Sequence, residues 1–514
     1  MFPRLITRYG LATHLALLAS LPFVLFPFLS AEKLAQTVFC LSGLAGLWLL
    51  VEPSMRSGEH LSIARRRVIR AILHDFVFWF FLVVIVIVFV RYLNSDIALK
   101  YVDGEWRVNP PSLPSLPASV GNAGLLPFAI VVAIAVLLQG IRHGIGLTGR
   151  ISFGITASFV MGVGGLVMAG LACANVPAFM CAAKADFLDG PFWGSFIGPG
   201  FGVWLICALA FGAHAEARKW GASHIPFCIA VAGNASGLLF FSPPIVATCF
   251  LVLALVVAVF CMVFIARSGS MGAVARNLVL AVLGFAVPFF FSSALIPDEI
   301  ELDVRTGGVQ VLEPARNVFA VKTGAFFSVD KDMAEVYGKR SAVLSGTARF
   351  IWKKHPWYGA GTGAFGLHSP FLLTKAELRE FQIGKRDWRV KLGLHPRSRD
   401  PNCAFSSYWT FLAERGLLGL GLAVAAMGFL LVSYFVRLAG AVVFLRSQDD
   451  ADIVVFACPP ITWTVPFSLL LFLSVAVFAP ILSVPPMWLV AVAPLAVAAA
   501  SFPKKPEKRN VYLR

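Results

Sequence analysis

The sequence predicts an all-α integral membrane protein, with about twelve transmembrane helices and one large, partly helical extracytoplasmic loop. Three observations carry that prediction. Hydrophobic residues make up 58% of the chain and charged ones 14%, with a mean hydropathy of +0.80; a water-soluble fold of 514 residues could not solvate such a surface. Apolar runs long enough to cross a hydrocarbon core of roughly 30 Å recur along the chain. They are too long for barrel strands of roughly ten residues, and only helices satisfy the backbone inside lipid over such runs. Finally, short arginine-rich loops alternate with loops poor in positive charge, the pattern that sets membrane topology.

The spans fall near 10–30, 34–53, 72–93, 122–141, 151–172, 194–214, 224–241, 243–266, 277–297, 408–436, 460–483 and 485–502. Arg4 and Arg8 ahead of the first run resemble the start of a signal peptide, but further spans follow at once, so a retained first helix is expected. The segment Met55–Arg70 holds Arg56, Arg65, Arg66, Arg67 and Arg70, which places it in the cytoplasm. Arg142 and Arg150, Arg218 and Lys219, Arg267 and Arg276, Arg437 and Arg446, and the tail Lys504–Arg514 fall on the same side. Both termini are therefore expected inside. The chain divides into residues 1–297 with spans one to nine, a large outer loop over 298–407, and residues 408–514 with the last three spans and a cytoplasmic tail.

The net charge of +16 does not imply nucleic acid, because much of it is the arginine and lysine that orient the spans. Nine cysteines lie mostly in apolar runs and form no C-x-x-C pair, so neither a metal nor a redox reading gains support. A second outer loop, 94–121, carries Pro110, Pro111, Pro114 and Pro117 and reads as a semi-rigid extended cover.

The large loop is basic although the count places it outside, which long loops permit. Between Lys339 and Arg399 it holds thirteen basic and three acidic residues. One reading is a solvated face attracted to anionic lipid head groups. The other is an anion site for phosphate or pyrophosphate, built from Arg340 with Arg349, Arg397 and Arg399, since guanidinium forks match phosphate oxygens. Residues 339–366 should form a helix along the membrane surface, with Val343, Leu344, Phe350, Ile351 and Trp352 among basic residues. Pro356 should end it, followed by a tight turn at Gly359, Gly361 and Gly363 where the backbone approaches a ligand or a helix. Gly361, Gly363 and Gly366 fit G-x-G-x-x-G formally, but a dinucleotide fold needs a preceding strand and a βαβ unit, so that reading is rejected. Glu414 and Arg415, at the start of an apolar span, are costly unless paired; they form a local pair or line a cavity.

The stretches Pro356–Phe365 and Tyr408–Gly419 together resemble those of the O-antigen ligase and O-antigen polymerase superfamily. Pro356, Gly359, Gly361 and Phe365 match the family's P-x-x-G-x-G-x-x-x-F, and Tyr408, Leu412, Ala413, Glu414, Gly416 and Gly419 match its Y-L-x-x-L-A-E-x-G-x-x-G. Gly194–Phe201 is a weaker echo of the family's G-T-F-x-x-P-N. The resemblance implies transfer or polymerisation of a saccharide from a polyprenyl-diphosphate donor onto a hydroxyl of a saccharide or lipid acceptor. The reaction would take place at the outer face of the bacterial cytoplasmic (inner) membrane, with no metal, no cofactor and no nucleic acid, and with membrane lipids as further partners. It implies Arg340, with Arg349 as second choice, as the diphosphate holder, and substrate contacts at Ser406 and Glu414. The chain departs from the pattern where the family's histidine is expected: Phe405 stands there, followed by Ser406, which leaves His395 or His368 as a substitute base. Near the weaker echo, Pro191 or Phe192 replaces an arginine and Gly200 an asparagine. Competing readings are a non-catalytic partner in envelope polysaccharide assembly, which the missing histidine keeps open, and a transporter or flippase, against which the lack of an internal repeat argues.

Overall fold

In a computed structural model, the described residues are 10–51, 60–102, 105–109, 111–113, 115–180, 197–217, 224–267, 271–295, 321, 331–372, 404, 406–446, 460–478 and 481–502. In chain order the helices are α1 (Gly10–Leu25), α2 (Ala31–Val51), α3 (Leu61–Leu73), α4 (Phe76–Leu93), α5 (Leu125–Gln139), α6 (Leu147–Met180), α7 (Gly198–Ala217), α8 (His224–Phe240), α9 (Pro244–Arg267), α10 (Met271–Leu295), α11 (Lys331–Lys354), α12 (Ala364–Leu372), α13 (Ser407–Arg446), α14 (Pro460–Phe478) and α15 (Met487–Ala500). A helix occupies each of the twelve apolar segments read from the sequence. Among the described residues nine helices are long and apolar enough to cross a membrane. Three more at the expected places, α1, α8 and α15, are apolar but shorter. The chain is a helical multi-pass membrane protein.

Two faces of the bundle show how these sequences choose their neighbours. α7 is wholly buried, with Trp204, Phe201 and Leu205 at its heart. Next to it, α6 and α8 approach to backbone contact: a Cβ on Gly162 would stand 2.6 Å from Ala230 Cα, and one on Gly233 only 1.7 Å from Gly162 O. Apolar side chains gain little by leaving lipid for one another, so small residues that admit such close packing hold membrane helices together. On α9 and α10, by contrast, Leu255, Phe260 and Phe290 are about two-thirds exposed. Apolar faces of that extent are stable only against lipid.

The 94–121 loop differs from the extended cover the sequence suggests. It opens with a two-stranded antiparallel hairpin, β1 (Ala98–Val102) against β2 (Glu105–Asn109), with Val102 opposite Glu105. Only residues 111–120 behave as a strap, fastened by the Asn94 side chain, whose amide donates to the carbonyls of Leu113 and Pro117 at 3.0 and 3.3 Å. α11 is the amphipathic helix expected from the sequence. It buries Leu344, Ala348 and Ile351 against Ala360, Phe365 and Ala413, leaves Phe350 exposed, and stops two residues before Pro356.

Candidate functional site

The two glycine-bearing stretches singled out in the sequence are hydrogen-bonded to each other. After α11 the chain turns through Gly359, Gly361 and Gly363 at φ +74°, +113° and +81°, left-handed values that a Cβ disfavours. α13 is broken at Gly416, where φ is 63° and ψ −169°. Such a break frees carbonyls before it and amides after it, and nothing in lipid would satisfy them. The turn supplies the partners. Ala360 N donates to Ala413 O at 2.8 Å and Gly361 N to Glu414 O at 3.0 Å, while Leu417 N and Leu418 N donate to Pro356 O and Trp357 O at 2.9 and 3.0 Å. The approach is so close that a Cβ on Gly359 would lie 2.3 Å from Glu414 C, and one on Gly416 2.3 Å from Trp357 O.

A third segment completes the junction. Thr362 N donates to Ala118 O at 3.0 Å and Val120 N to Thr362 O at 2.9 Å, so the strap lies alongside the turn. Arg91, in the last turn of α4 and only 4% exposed, reaches into the middle of the three segments. Its guanidinium donates to Thr362 Oγ1, Glu414 O and Tyr358 O at 3.4 Å and to Arg415 O at 3.5 Å. A planar fork with five donors suits this convergence of acceptors from two chain segments.

Glu414 and Arg415 part company at the break. The Glu414 carboxylate is buried and accepts the backbone amides of Gly363 and Phe365, at the start of α12. Arg415 lies over the Phe411 ring with 4.3 Å to its centroid; it makes no ion pair within 4 Å among the described residues, but its charge and that of the Glu414 carboxylate still attract each other. It lines a cleft of about 110 Å³ between α4, α5, α13 and α15. The walls are apolar, from Val84, Ile87 and Val88 on α4 to Ile130 and Ile134 on α5 and Leu418, Leu422 and Met427 on α13. The only charged side chains in the lining are Arg91 and Arg415, both at one end. An apolar slot ending in two guanidinium groups suits a lipid tail with an anionic head.

Of the residues expected from the sequence, Pro356, Gly359, Gly361, Gly363 and Glu414 come together here. Ser406 is buried at the entry to α13, its carbonyl accepting the Thr410 amide at 3.0 Å, so it shapes the start of that helix. Arg349 is exposed on α11 and does not line the cleft. Arg340 lies on α11, its side chain outside what is described, and His395, Arg397 and Arg399 lie outside the described residues, as do Pro191, Phe192 and Phe405. Gly200 sits inside α7, where a Cβ would stand 3.0 Å from the Phe23 ring and 3.1 Å from Met487 Sδ. His368 is placed on α12, with its ring centroid 6.4 Å from that of His355. Burial, and then the neighbouring His355 and Lys354, hold His368 below the usual imidazole range; burial and Lys354 do the same for His355. Arg91 is the residue that sequence reading missed. The signal was present: an arginine near the end of an otherwise unbroken apolar run marks a functional or structural site. Among the described residues no group of three or more His, Cys, Asp or Glu side chains could hold a metal ion. Comparison with family models and with curated proteins finds no match.

Proposed function

We propose that this chain is a metal-independent, glycosyltransferase-like ligase or polymerase of the bacterial cytoplasmic membrane. It crosses the membrane twelve times with both termini inside and acts at the outer face. The observation that carries this reading is the apolar cleft ending in Arg91 and Arg415, beside the junction where the two family-like stretches meet. The tail of a polyprenyl-diphosphate-linked saccharide lies along the cleft, and its diphosphate meets Arg415. Arg91 is held by backbone carbonyls and adds positive charge behind it. The acceptor hydroxyl oxygen bonds to the anomeric carbon, and the bond from that carbon to the diphosphate oxygen breaks. The leaving diphosphate takes the electron pair, so positive charge at its oxygens lowers the barrier more than a stronger nucleophile would. The hydroxyl proton goes to an imidazole, for which His368 and His395 are the candidates, with Phe405 standing where the family carries its histidine.

The test is transfer by the full chain reconstituted with undecaprenyl-diphosphate-linked oligosaccharide and an acceptor, followed by release of undecaprenyl diphosphate. Arg415→Ala is expected to slow release by about 10²-fold, the scale of removing one donor to a developing anion. Arg415→Lys should recover little of this, because it keeps the charge but loses the fork. Full activity in both variants would remove the diphosphate from this cleft. A wild-type chain that binds the donor and never cleaves it would favour the non-catalytic partner, which the replacement at Phe405 keeps in contention.

A further inference from the structure

A second cluster of buried arginines sits at the opposite end of the same helices. Asp75 caps the start of α4, its Oδ1 accepting Val77 N at 3.1 Å. After α5 the chain makes a π-helical turn, Gly140–Gly144, which carries Arg142 and His143. Both reach Asp75: Arg142 Nε lies 3.0 Å and His143 Nε2 2.9 Å from Oδ2. Next to this pair, Arg437 on α13 donates to Ala499 O at 3.1 Å, and Arg150 on α6 donates to Ala500 O. These are the last carbonyls of α15.

Among the described residues the charges do not cancel. Asp75 is matched by Arg142. Arg150 and Arg437 face a helix C-terminus, which carries only about half a negative charge. That leaves more than one positive charge on side chains largely withdrawn from water. Arg437 feels the repulsion of both Arg142 and Arg150 as well as the attraction of Asp75, the one carboxylate the cluster shares. Among the described residues each of the two capping guanidiniums bonds one carbonyl, out of five donors, and the buried Arg150 Nε has no hydrogen-bond partner there.

The surroundings identify the compensating anion. α3 packs on the π-helical turn. It exposes Arg65, Arg66 and Arg70, but also Ile63, Ile69 and Leu73 at 55%, 42% and 49%. A short helix whose exposed face interleaves arginines with bare apolar side chains, opposite the buried Ala64 and Val68, suits the membrane interface, at the depth of lipid head groups, where long basic side chains reach outward and apolar ones inward. The arginine cluster is therefore at head-group level, beside a helix that gathers anionic lipid. We propose that Arg142, Arg150 and Arg437 hold the phosphate of an anionic membrane lipid, whose head group ties α5, α6, α13 and α15 together at this end. The site is independent of the glycan-transfer reading, since it shares no residue with the outer cleft.

The test uses the full chain in detergent. Phosphatidylglycerol, phosphatidylcholine and inorganic phosphate are added separately, and the thermal midpoint and bound lipid are measured. Phosphatidylglycerol should raise the midpoint and be retained in the native mass spectrum, phosphatidylcholine should do neither, and inorganic phosphate alone should leave the midpoint unchanged. Losing the charge-assisted bonds in Arg150→Gln/Arg437→Gln should weaken phosphatidylglycerol binding by about tenfold or more. If that variant does not fold, competition between the two lipids for the wild-type chain decides the matter by itself. Equal retention of both lipids, or an unchanged affinity in the variant, overturns the proposal. So does a shift reproduced by inorganic phosphate, which would make the ligand a free anion. Absence of any lipid effect also overturns it, and would assign the neutralising charge to acidic residues of the chain outside the described residues, Asp449 and Asp450 among them.

Discussion

The two ends of α4 both hold a buried ionisable side chain, Asp75 at its start and Arg91 at its end, yet they solve different problems. At the Arg91 end a transmembrane helix is broken, and the exposed backbone of α13 is satisfied by the turn 356–363, with Arg91 binding carbonyls on both segments. At the Asp75 end no span is broken. There the arginines meet a carboxylate and the carbonyls that any helix leaves open at its C-terminus. The first arrangement depends on backbone shape, the second on charge. Substitutions should therefore separate them.

The largest effect is expected at the glycines of the junction at the Arg91 end. Gly416→Val forces a β-branched residue to a φ of 63° and puts its Cβ 2.3 Å from Trp357 O. Strain of this kind costs roughly 1–3 kcal/mol before any clash is counted. The clash is with backbone on both sides and has little room to relax. Limited proteolysis should show the 356–363 turn released, and the thermal midpoint should fall. Gly421→Ala, five residues further along α13 with open space around its Cβ, should leave both unchanged. If the two variants behave alike, the turn is not held by backbone fit.

Next comes a direct comparison of one arginine from each end. Arg91→Met removes the donor shared by four buried or half-buried acceptors; Glu414 O keeps its bond from Gly361 N, and each acceptor left unpaired costs roughly 1–3 kcal/mol. Arg437→Met uncovers one carbonyl at the end of a helix, beside an arginine that already caps its neighbour, so about 1 kcal/mol or less is expected. Unfolding measured in zwitterionic detergent, without anionic lipid, should rank Arg91→Met well below Arg437→Met. The reverse order would mean that charge, and not backbone satisfaction, dominates both ends.

The sequence made the helices legible because span length and apolarity leave few alternatives in lipid, and all twelve segments are helical where expected. It also revealed both halves of the outer junction, Pro356–Phe365 and Tyr408–Gly419, through glycines in positions where only close approach explains them. It did not reveal that the halves touch, because contact between segments so far apart along the chain depends on the bundle that brings them together. Arg91 was lost inside a run counted as apolar. The hairpin at 98–109 was missed although Asp103-Gly104, a strong turn dipeptide, separates its two short strands. There the prolines that follow outweighed it. Arg340 and Arg349 stand out by their place ahead of Pro356 and by density of charge, a property that solvated faces share with binding sites; Arg349 is exposed on α11, and the Arg340 side chain lies outside what is described. Arg415, one residue from a motif position, stands at the cleft.

The smallest expected effect is one of pH, and it should belong to the Arg91 end alone. His368 lies on α12, the helix whose first amides hold the Glu414 carboxylate. Burial is the main cause that holds His368 below the ordinary imidazole value of 6.5, followed by repulsion from His355 and Lys354. The unfolded chain therefore takes up this proton at a higher pH than the folded one. Stability that is present above pH 6.5 should decline as the pH falls below that value and the folded state is forced to accept a charge beside Lys354. Protection of the 356–372 segment from protease should fall between pH 7.5 and 5, while protection of the α3–α4 connection at Asp75 should hold. His368→Gln has no proton to gain, so it should flatten the curve at the Arg91 end without moving the other. His355 offers a control, because it is also held below 6.5 by burial and then by Lys354. His355→Gln removes one of the two charges that repel a protonated His368, which narrows the difference between folded and unfolded affinity for that proton, so it should reduce the loss of protection on acidification rather than abolish it. A profile that survives His368→Gln unchanged would show that a different group titrates, and would leave His368 without its proposed place beside the junction.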